Sequence, residues 1–217
     1  VRSETSSTGQ RSQTFIEVAR RAQIVTAAID TIAGLGYAQA SLARIAERAG
    51  TSKGVICYHF AGKDELIRAA AAEVLAQGEA YMLPRILAES SGPGALRAYI
   101  ESNLAFLREY RNHVLALVEI VLNARAEDGG QLVDGSALDA MATALEQLLA
   151  RFQAAGEFRA DFGPRVMALA IRGAIDAVAR QLVTDPDLDI DGYCRELTAT
   201  FDRATRGDPE RPARRKQ

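Results

Sequence analysis

An all-α fold of about nine helices is what this sequence predicts, on three observations. Alanine and leucine outnumber β-branched residues and tryptophan is absent, a balance that favours helix. Apolar residues recur at steps of three and four, and nothing alternates with period two. Glycine and proline clusters punctuate the chain at helix-length intervals. The 217 residues, 48% hydrophobic and 25% charged, suffice for one large or two small packed domains.

Residues 1–17, rich in Ser, Thr and Gln, are expected to form a flexible arm. Helical spacing starts with Ile24, Ala28, Ile32 and Leu35 and stops at Gly36. Ser41 is placed as the N-cap of a second helix carrying Leu42, Ile45, Ala46 and Ala49, which Gly50 ends in a left-handed turn. Ser52 caps a third short helix. A fourth opens at Lys63 with Asp64 and Glu65 in its first turn, and Pro84 is expected to kink or break it. Gly92-Pro93-Gly94 reads as the end of that region.

Four apolar patterns and a terminal helix follow. Leu96, Ile100, Asn103 and Leu107 mark one; Val114, Leu117, Val118 and Val121 mark the next. After the Gly129-Gly130 loop, Leu138, Met141, Leu145, Leu148 and Phe152 repeat until Gly156. Pro164 suits a first helical turn, and its helix runs to about Val183. Ile190, Cys194, Leu197 and Phe201 form the seam of the last helix, ahead of a tail over 207–217 expected to be disordered.

The net charge of −2 hides an asymmetry. Residues 1–68 carry nine basic and six acidic side chains, a net of +3, against −5 for the remainder. A basic front suits contact with a polyanion. No apolar run approaches the ~20 residues that span a bilayer, so no membrane partner is expected. The two cysteines, Cys57 and Cys194, read as reduced thiols in a cytoplasmic setting. His59 beside Cys57 lacks a second pair of ligands, so neither a metal site nor a cofactor is expected. No phosphate loop, nucleophile elbow or catalytic set is present, which speaks against an enzyme.

The stretch TSKGVICYHFAGKDEL, Thr51–Leu66, places a lysine at the start of two helices, where the dipole disfavours it by about 0.3–1 kcal/mol each. Two short helices around a glycine turn form a helix-turn-helix, whose second helix would present its start to the DNA major groove. Phosphates or guanine acceptors would then supply the negative charge that Lys53 and Lys63 lack. A plain helical corner with solvated lysines remains the alternative on spacing alone.

IAERAGTSKGVICYHFAGKDEL resembles the DNA-binding segment of the TetR (tetracycline-repressor-like) family of bacterial transcriptional regulators. The match lies at Ile45, Ala46, Ala49, Gly50, Ser52, Gly54, Ile56, His59, Phe60, Lys63 and Leu66, within residues 20–70. The resemblance implies a DNA-binding domain over 18–68 and a ligand-binding and dimerisation domain over 69–206. By the same resemblance Ser41 and Arg44 approach the DNA, and Ser52, Lys53, Gly54 and Val55 face the groove. Tyr58, His59 and Lys63 then hold phosphates. Cys57 departs from the tyrosine common in the family; it reaches less far and donates weakly, so it is left out of the contact set.

The family further implies a homodimer on a palindromic double-stranded DNA operator, and a small-molecule effector. Val166, Leu169, Gly173 and Ala177 on the eighth helix and Ile190, Cys194, Leu197 and Phe201 on the ninth would form the dimer interface. Candidate pocket residues are Tyr81, Met82, Tyr99, Asn103, Leu107 and Tyr110, followed by Leu117, Val121, Met141, Leu145, Phe152 and Ile171. Each is equally plausible as core. An all-helical adaptor that binds protein through its apolar faces is the competing reading, with a small helical enzyme behind it.

Overall fold

The computed structural model describes residues 6–126, 129–133 and 136–207, with side chains from Ile16 onward except at 137 and 138. The helices are α1 (Ser6–Leu35), α2 (Leu42–Arg48), α3 (Lys53–His59), α4 (Lys63–Leu87), α5 (Gly92–Glu109), α6 (Arg111–Asn123), α7 (Ser136–Ala154), α8 (Pro164–Thr184) and α9 (Ile190–Thr205). A 3₁₀ turn covers Tyr37–Gln39. Among the described residues there is no β-strand, only an isolated bridge between Arg125 and Gln131. None of the described helices is long and apolar enough to cross a membrane.

The chain packs as two units. The first holds the residues up to Leu75 together with Asn112–Val133; the second holds Ala76–Arg111 and the residues from Asp134 onward. Each unit is therefore built from two separate stretches of the chain. Asn112 donates to Asp30 Oδ1 at 3.2 Å, and the Tyr37 N–H donates to Glu119 Oε2 at 3.1 Å. Contacts 82 residues apart in sequence leave no local mark.

In the first unit, Ile24, Ile29 and Ile32 of α1 meet Ile45 of α2, Ile56 of α3 and Leu66 and Ile67 of α4, all essentially inaccessible to water. Burying each such side chain stabilises by about 1.5–3 kcal/mol before entropy is counted. Leu35, expected on the same stripe, is 41% exposed, because the chain turns away at Gly36. The arm expected over 1–17 is helical from Ser6, while 1–5 lie outside the described residues. Once Ile24–Ile32 fix the helix, each added residue gains one hydrogen bond without a new nucleation cost. Ile16 and Val18 on that extension are 62% exposed.

In the second unit, Ile100 and Leu104 of α5, Leu145 and Leu149 of α7 and Ile171 and Leu182 of α8 form the core. Gly92-Pro93-Gly94 opens α5 rather than closing the preceding region. Ser91 Oγ accepts from the Gly94 N–H, and the Gly92 N–H donates to Glu157 Oε2 at 2.6 Å. A Cβ at Gly92 would lie 2.8 Å from Phe152 Cβ, so only glycine lets α5 start against that ring. Pro84 neither breaks nor ends α4, which runs on to Leu87 at the loss of the one hydrogen bond that an N–H at this position would give the Ala80 carbonyl. The tail expected from 207 lies outside the described residues beyond Gly207.

Candidate nucleic-acid interface

Both serine caps stand where spacing put them. Ser41 Oγ accepts from the Arg44 N–H and Ser52 Oγ from the Val55 N–H, each at 3.3 Å. Between them α2 closes with paired bonds, Thr51 N–H to the Ala46 carbonyl and Gly50 N–H to the Glu47 carbonyl. Gly50 sits at φ +61°, which an L side chain resists. This turn sets the start of α3 at the surface. Ile56 and Phe60 bury its inner face.

Exposure varies across the residues expected at the DNA. Ser41, Arg44, Ser52, Lys53 and Gly54 are exposed, Val55 and His59 are half-buried, and Tyr58 is 75% exposed. Arg44 donates to the carbonyl and side-chain oxygens of Gln39, which holds its guanidinium beside the start of α2. A Cβ on Gly54 would meet nothing nearer than Ser52 Oγ at 3.6 Å. Packing within the chain does not require glycine there, whereas close approach by an outside backbone does. Tyr58 meets the His59 ring edge-on at 5.1 Å.

Lys63 departs from the expectation of a freely outward charge. Its Nζ lies 4.4 Å from the centre of the Tyr37 ring and 3.5 Å from the Tyr37 carbonyl oxygen. Burial lowers its pKa, against a smaller opposing effect of Asp64. Cation–π contact and a carbonyl at the bend after α1 offset the unfavourable dipole locally. Sequence spacing could not show this, since Tyr37 is 26 positions away.

Two residues outside the expected contact set hold α3 and its neighbours. Arg21 of α1 stacks 4.0 Å from the Phe60 ring centre, donates to the His59 carbonyl at 2.6 Å and pairs with Glu65 at 3.3 Å. The last carbonyls of a helix carry partial negative charge, so a guanidinium there is well placed. Glu65 Oε2 in turn accepts from the Ala61 N–H at 2.7 Å; that bond, aided by Arg21 and opposed by burial, holds the carboxyl below the usual glutamate range. The second residue is Glu119, which caps the 3₁₀ turn through the Tyr37 N–H and accepts from Asn123 Nδ2 at 3.1 Å. Its one sequence signal was a carboxylate in an otherwise apolar helix.

In the second unit the expected pocket residues scatter. Leu107, Leu145, Phe152 and Ile171 are buried; Tyr81, Met82, Tyr110 and Met141 are half-buried. Leu117 and Val121 belong to the first unit and are half-buried there. A groove of about 530 Å³ opens between the end of α4, α5 and α7, walled by Leu83, Ile86, Leu87, Tyr99, Leu145 and Leu148. Of the twelve expected residues, only Tyr99 and Leu145 line it. Behind it, the buried Arg172 donates to Tyr99 Oη at 3.3 Å, Asn103 Oδ1 at 3.0 Å and Asp176 Oδ1 at 2.6 Å. Burial raises the Tyr99 pKa, opposed by Arg172.

Of the expected dimer residues, Val166 is 71% and Leu169 49% exposed, and Gly173 is open as well. Ala177, Cys194, Leu197 and Phe201 are half-buried. Ile190 is buried within the chain's own packing.

A helix-turn-helix head on an all-helical body is the class of protein that this fold defines. Residues 24–70 match the model of the bacterial regulatory proteins of the tetR family. The HTH-type transcriptional regulator BetI 1 of Chromohalobacter salexigens is 40% identical over 85 residues, 39% of this chain and 42% of that protein. The chain spans less than half the length of the curated relatives it matches. The fold extends further. The fatty acid degradation regulator FadR of Bacillus halodurans superposes with a TM-score of 0.75 at 20% identity, over 84% of this chain and 94% of that one. FadR of Bacillus subtilis, in complex with stearoyl-CoA, gives 0.73 at 22% identity over 82% and 96%. Kinship in sequence with the tetR family lies in the N-terminal head, over residues 24–70, and beyond it the likeness is one of fold alone.

Proposed function

We propose that this chain is a ligand-responsive DNA-binding transcriptional regulator that acts on a palindromic operator as a homodimer and is released by a small-molecule effector. The observation that carries the reading is the outward start of α3, with Ser52, Lys53, Gly54 and Tyr58 exposed on a turn built from two serine caps and Gly50. Lys53 and Tyr58 reach phosphates as they stand, while Lys63 must leave Tyr37 to do so.

The test is the salt dependence of DNA binding, measured by mobility shift on the DNA upstream of the coding region. Each phosphate neutralised contributes a slope of about −0.9 in log K against log salt. Lys53→Ala is expected to flatten the slope by about one such contact. Lys63→Ala weakens binding to every sequence and flattens the slope by less, since part of its charge is spent on Tyr37. An unchanged slope in Lys53→Ala, or no binding by the parent chain, overturns the assignment.

The exposed apolar strip Val166, Leu169 and Gly173 on α8 supports the dimer, because a small residue there lets a second helix approach closely. Half-sites one or more DNA turns apart then follow from two-fold symmetry. Val166→Asp together with Leu169→Asp is expected to halve the mass seen by light scattering at micromolar concentration and to weaken operator binding. A parent chain already monomeric removes this part of the reading.

The effector is placed in the second unit, where the groove beside Tyr99 offers apolar walls and a volume in the usual range for small-molecule sites. Coupling of about 1–3 kcal/mol between effector and operator sites gives a 5–150-fold change in affinity. α4 runs through both units, which supplies the covalent path for it.

A further inference from the structure

We infer that, in the DNA-binding regulator proposed above, Glu119 is a positioning residue: by capping the Tyr37–Gln39 turn from α6, it sets where Arg44 and Lys63 stand at the operator. All of these groups lie in the first unit.

The turn is built as a seat for two cations. Gly36 precedes it and has no side chain to cap its first N–H. Glu119 Oε2 accepts from that N–H at 3.1 Å, and it lies so close that a Cβ on Gly36 would stand 3.4 Å from it. A carboxylate on an N–H makes a charge-assisted bond, roughly twice as strong as a neutral one. Asn123 Nδ2 donates to the same oxygen at 3.1 Å, which fixes the carboxylate on its own helix. At the other end of α6, Asn112 donates to Asp30 of α1 at 3.2 Å. α6 is thus tied both to α1 and to the turn that follows it.

Each end of the turn receives a side chain expected at the DNA. The Tyr37 carbonyl accepts from Lys63 Nζ at 3.5 Å, and the centre of the Tyr37 ring lies 4.4 Å from that ammonium. The Gln39 carbonyl and Oε1 accept from Arg44 Nη1 at 3.2 and 3.0 Å. The two contacts have opposite consequences. Tyr37 draws Lys63 inward and withholds part of its charge from phosphate. Gln39 keeps the long Arg44 side chain in one orientation, so less rotamer freedom is lost when DNA arrives. A loosened turn releases both cations: attraction to any DNA rises and discrimination falls.

The test compares Glu119→Ala with Glu119→Gln in the full chain. Both remove the same negative charge, so a change in long-range attraction is common to them, and only glutamine keeps an oxygen for the Tyr37 N–H. In mobility shifts on the upstream DNA, the slope of log K against log salt is expected to be steeper in Glu119→Ala than in Glu119→Gln by up to about 0.9, the mark of one further phosphate contact. The ratio of upstream to random-DNA affinity is expected to fall about tenfold in Glu119→Ala and to stay near the parent's in Glu119→Gln. Without DNA, NMR of isotope-labelled lysine reads the ε-methylene signals of Lys53, Lys63 and Lys216. The Tyr37 ring is expected to shift the Lys63 signal upfield in the parent and in Glu119→Gln, and Glu119→Ala to return it to the position of the exposed Lys53. Tyr37→Leu, which leaves the cap and removes the ring, is expected to steepen the slope with discrimination kept. Equal slopes or equal ratios in the two Glu119 variants, an unmoved Lys63 signal, or an unchanged slope in Tyr37→Leu overturns the inference alone. A parent chain that binds no DNA overturns the regulator reading and this inference with it.

Discussion

Arg172→Met lowers the stability of the second unit by about 3 kcal/mol, read as a shift in the urea midpoint followed by circular dichroism. The substitution keeps most of the aliphatic volume and removes the guanidinium. Three partners then lose their donor at once: Tyr99 Oη, Asn103 Oδ1 and Asp176. Breaking a buried pair by deleting one partner costs about 3–5 kcal/mol, and the half-exposed Asp176 carboxylate, 38% accessible, places this case at the low end. The companion variant Arg172→Met with Asp176→Leu is expected to recover part of the loss, because no unpaired charge remains. Equal midpoints for the parent and the single variant would show that the network contributes nothing net.

Phe60→Ala is expected to cost about 3–5 kcal/mol and to abolish operator binding. Phe60 is 2% exposed and closes the inner face of α3 together with Ile56 and Leu66. It also carries the Arg21 guanidinium at 4.0 Å, and Arg21 in turn binds the His59 carbonyl. Loss of the ring therefore removes core volume and loosens the clamp at the end of α3. Phe60→Leu fills part of the cavity and keeps the chain folded at a smaller cost. Its operator affinity is expected to fall while its binding to random DNA and its salt slope stay near those of the parent, since the side chains proposed to bind phosphate are untouched. A full retention of operator discrimination in Phe60→Leu would mean that Arg21 and Phe60 do not set the pose of α3.

Helix order, caps and turns were legible in the sequence because each depends on neighbours a few positions away. The 3.6-residue repeat marked which residues face inward, Ser41 and Ser52 marked starts, and Gly50 and Gly156 marked ends at positive φ. Exposure of Tyr58 followed for the same reason, since Ile56 and Phe60 face inward on the opposite side of α3; Lys53 shares their side by spacing and is exposed as the first residue of the helix. Local rules erred where a local signal had two uses. Gly92-Pro93-Gly94 reads as a stop or a start, and the Phe152 ring pressed against Gly92 selects the start.

What the sequence by itself determined was the helical class, the helix-turn-helix head and the serine caps that open its two short helices. Only the tertiary structure decided that Asn112–Val133 packs with that head, that Lys63 leans on Tyr37 and that Arg172 is buried among Tyr99, Asn103 and Asp176. The physical reason is range. Backbone hydrogen bonding and side-chain periodicity act within a turn or two, so a single segment reports them. A buried charge or a cap supplied from 82 residues away obeys the same chemistry. Its partner is chosen by how the helices pack, and that choice is written in no single stretch of the chain.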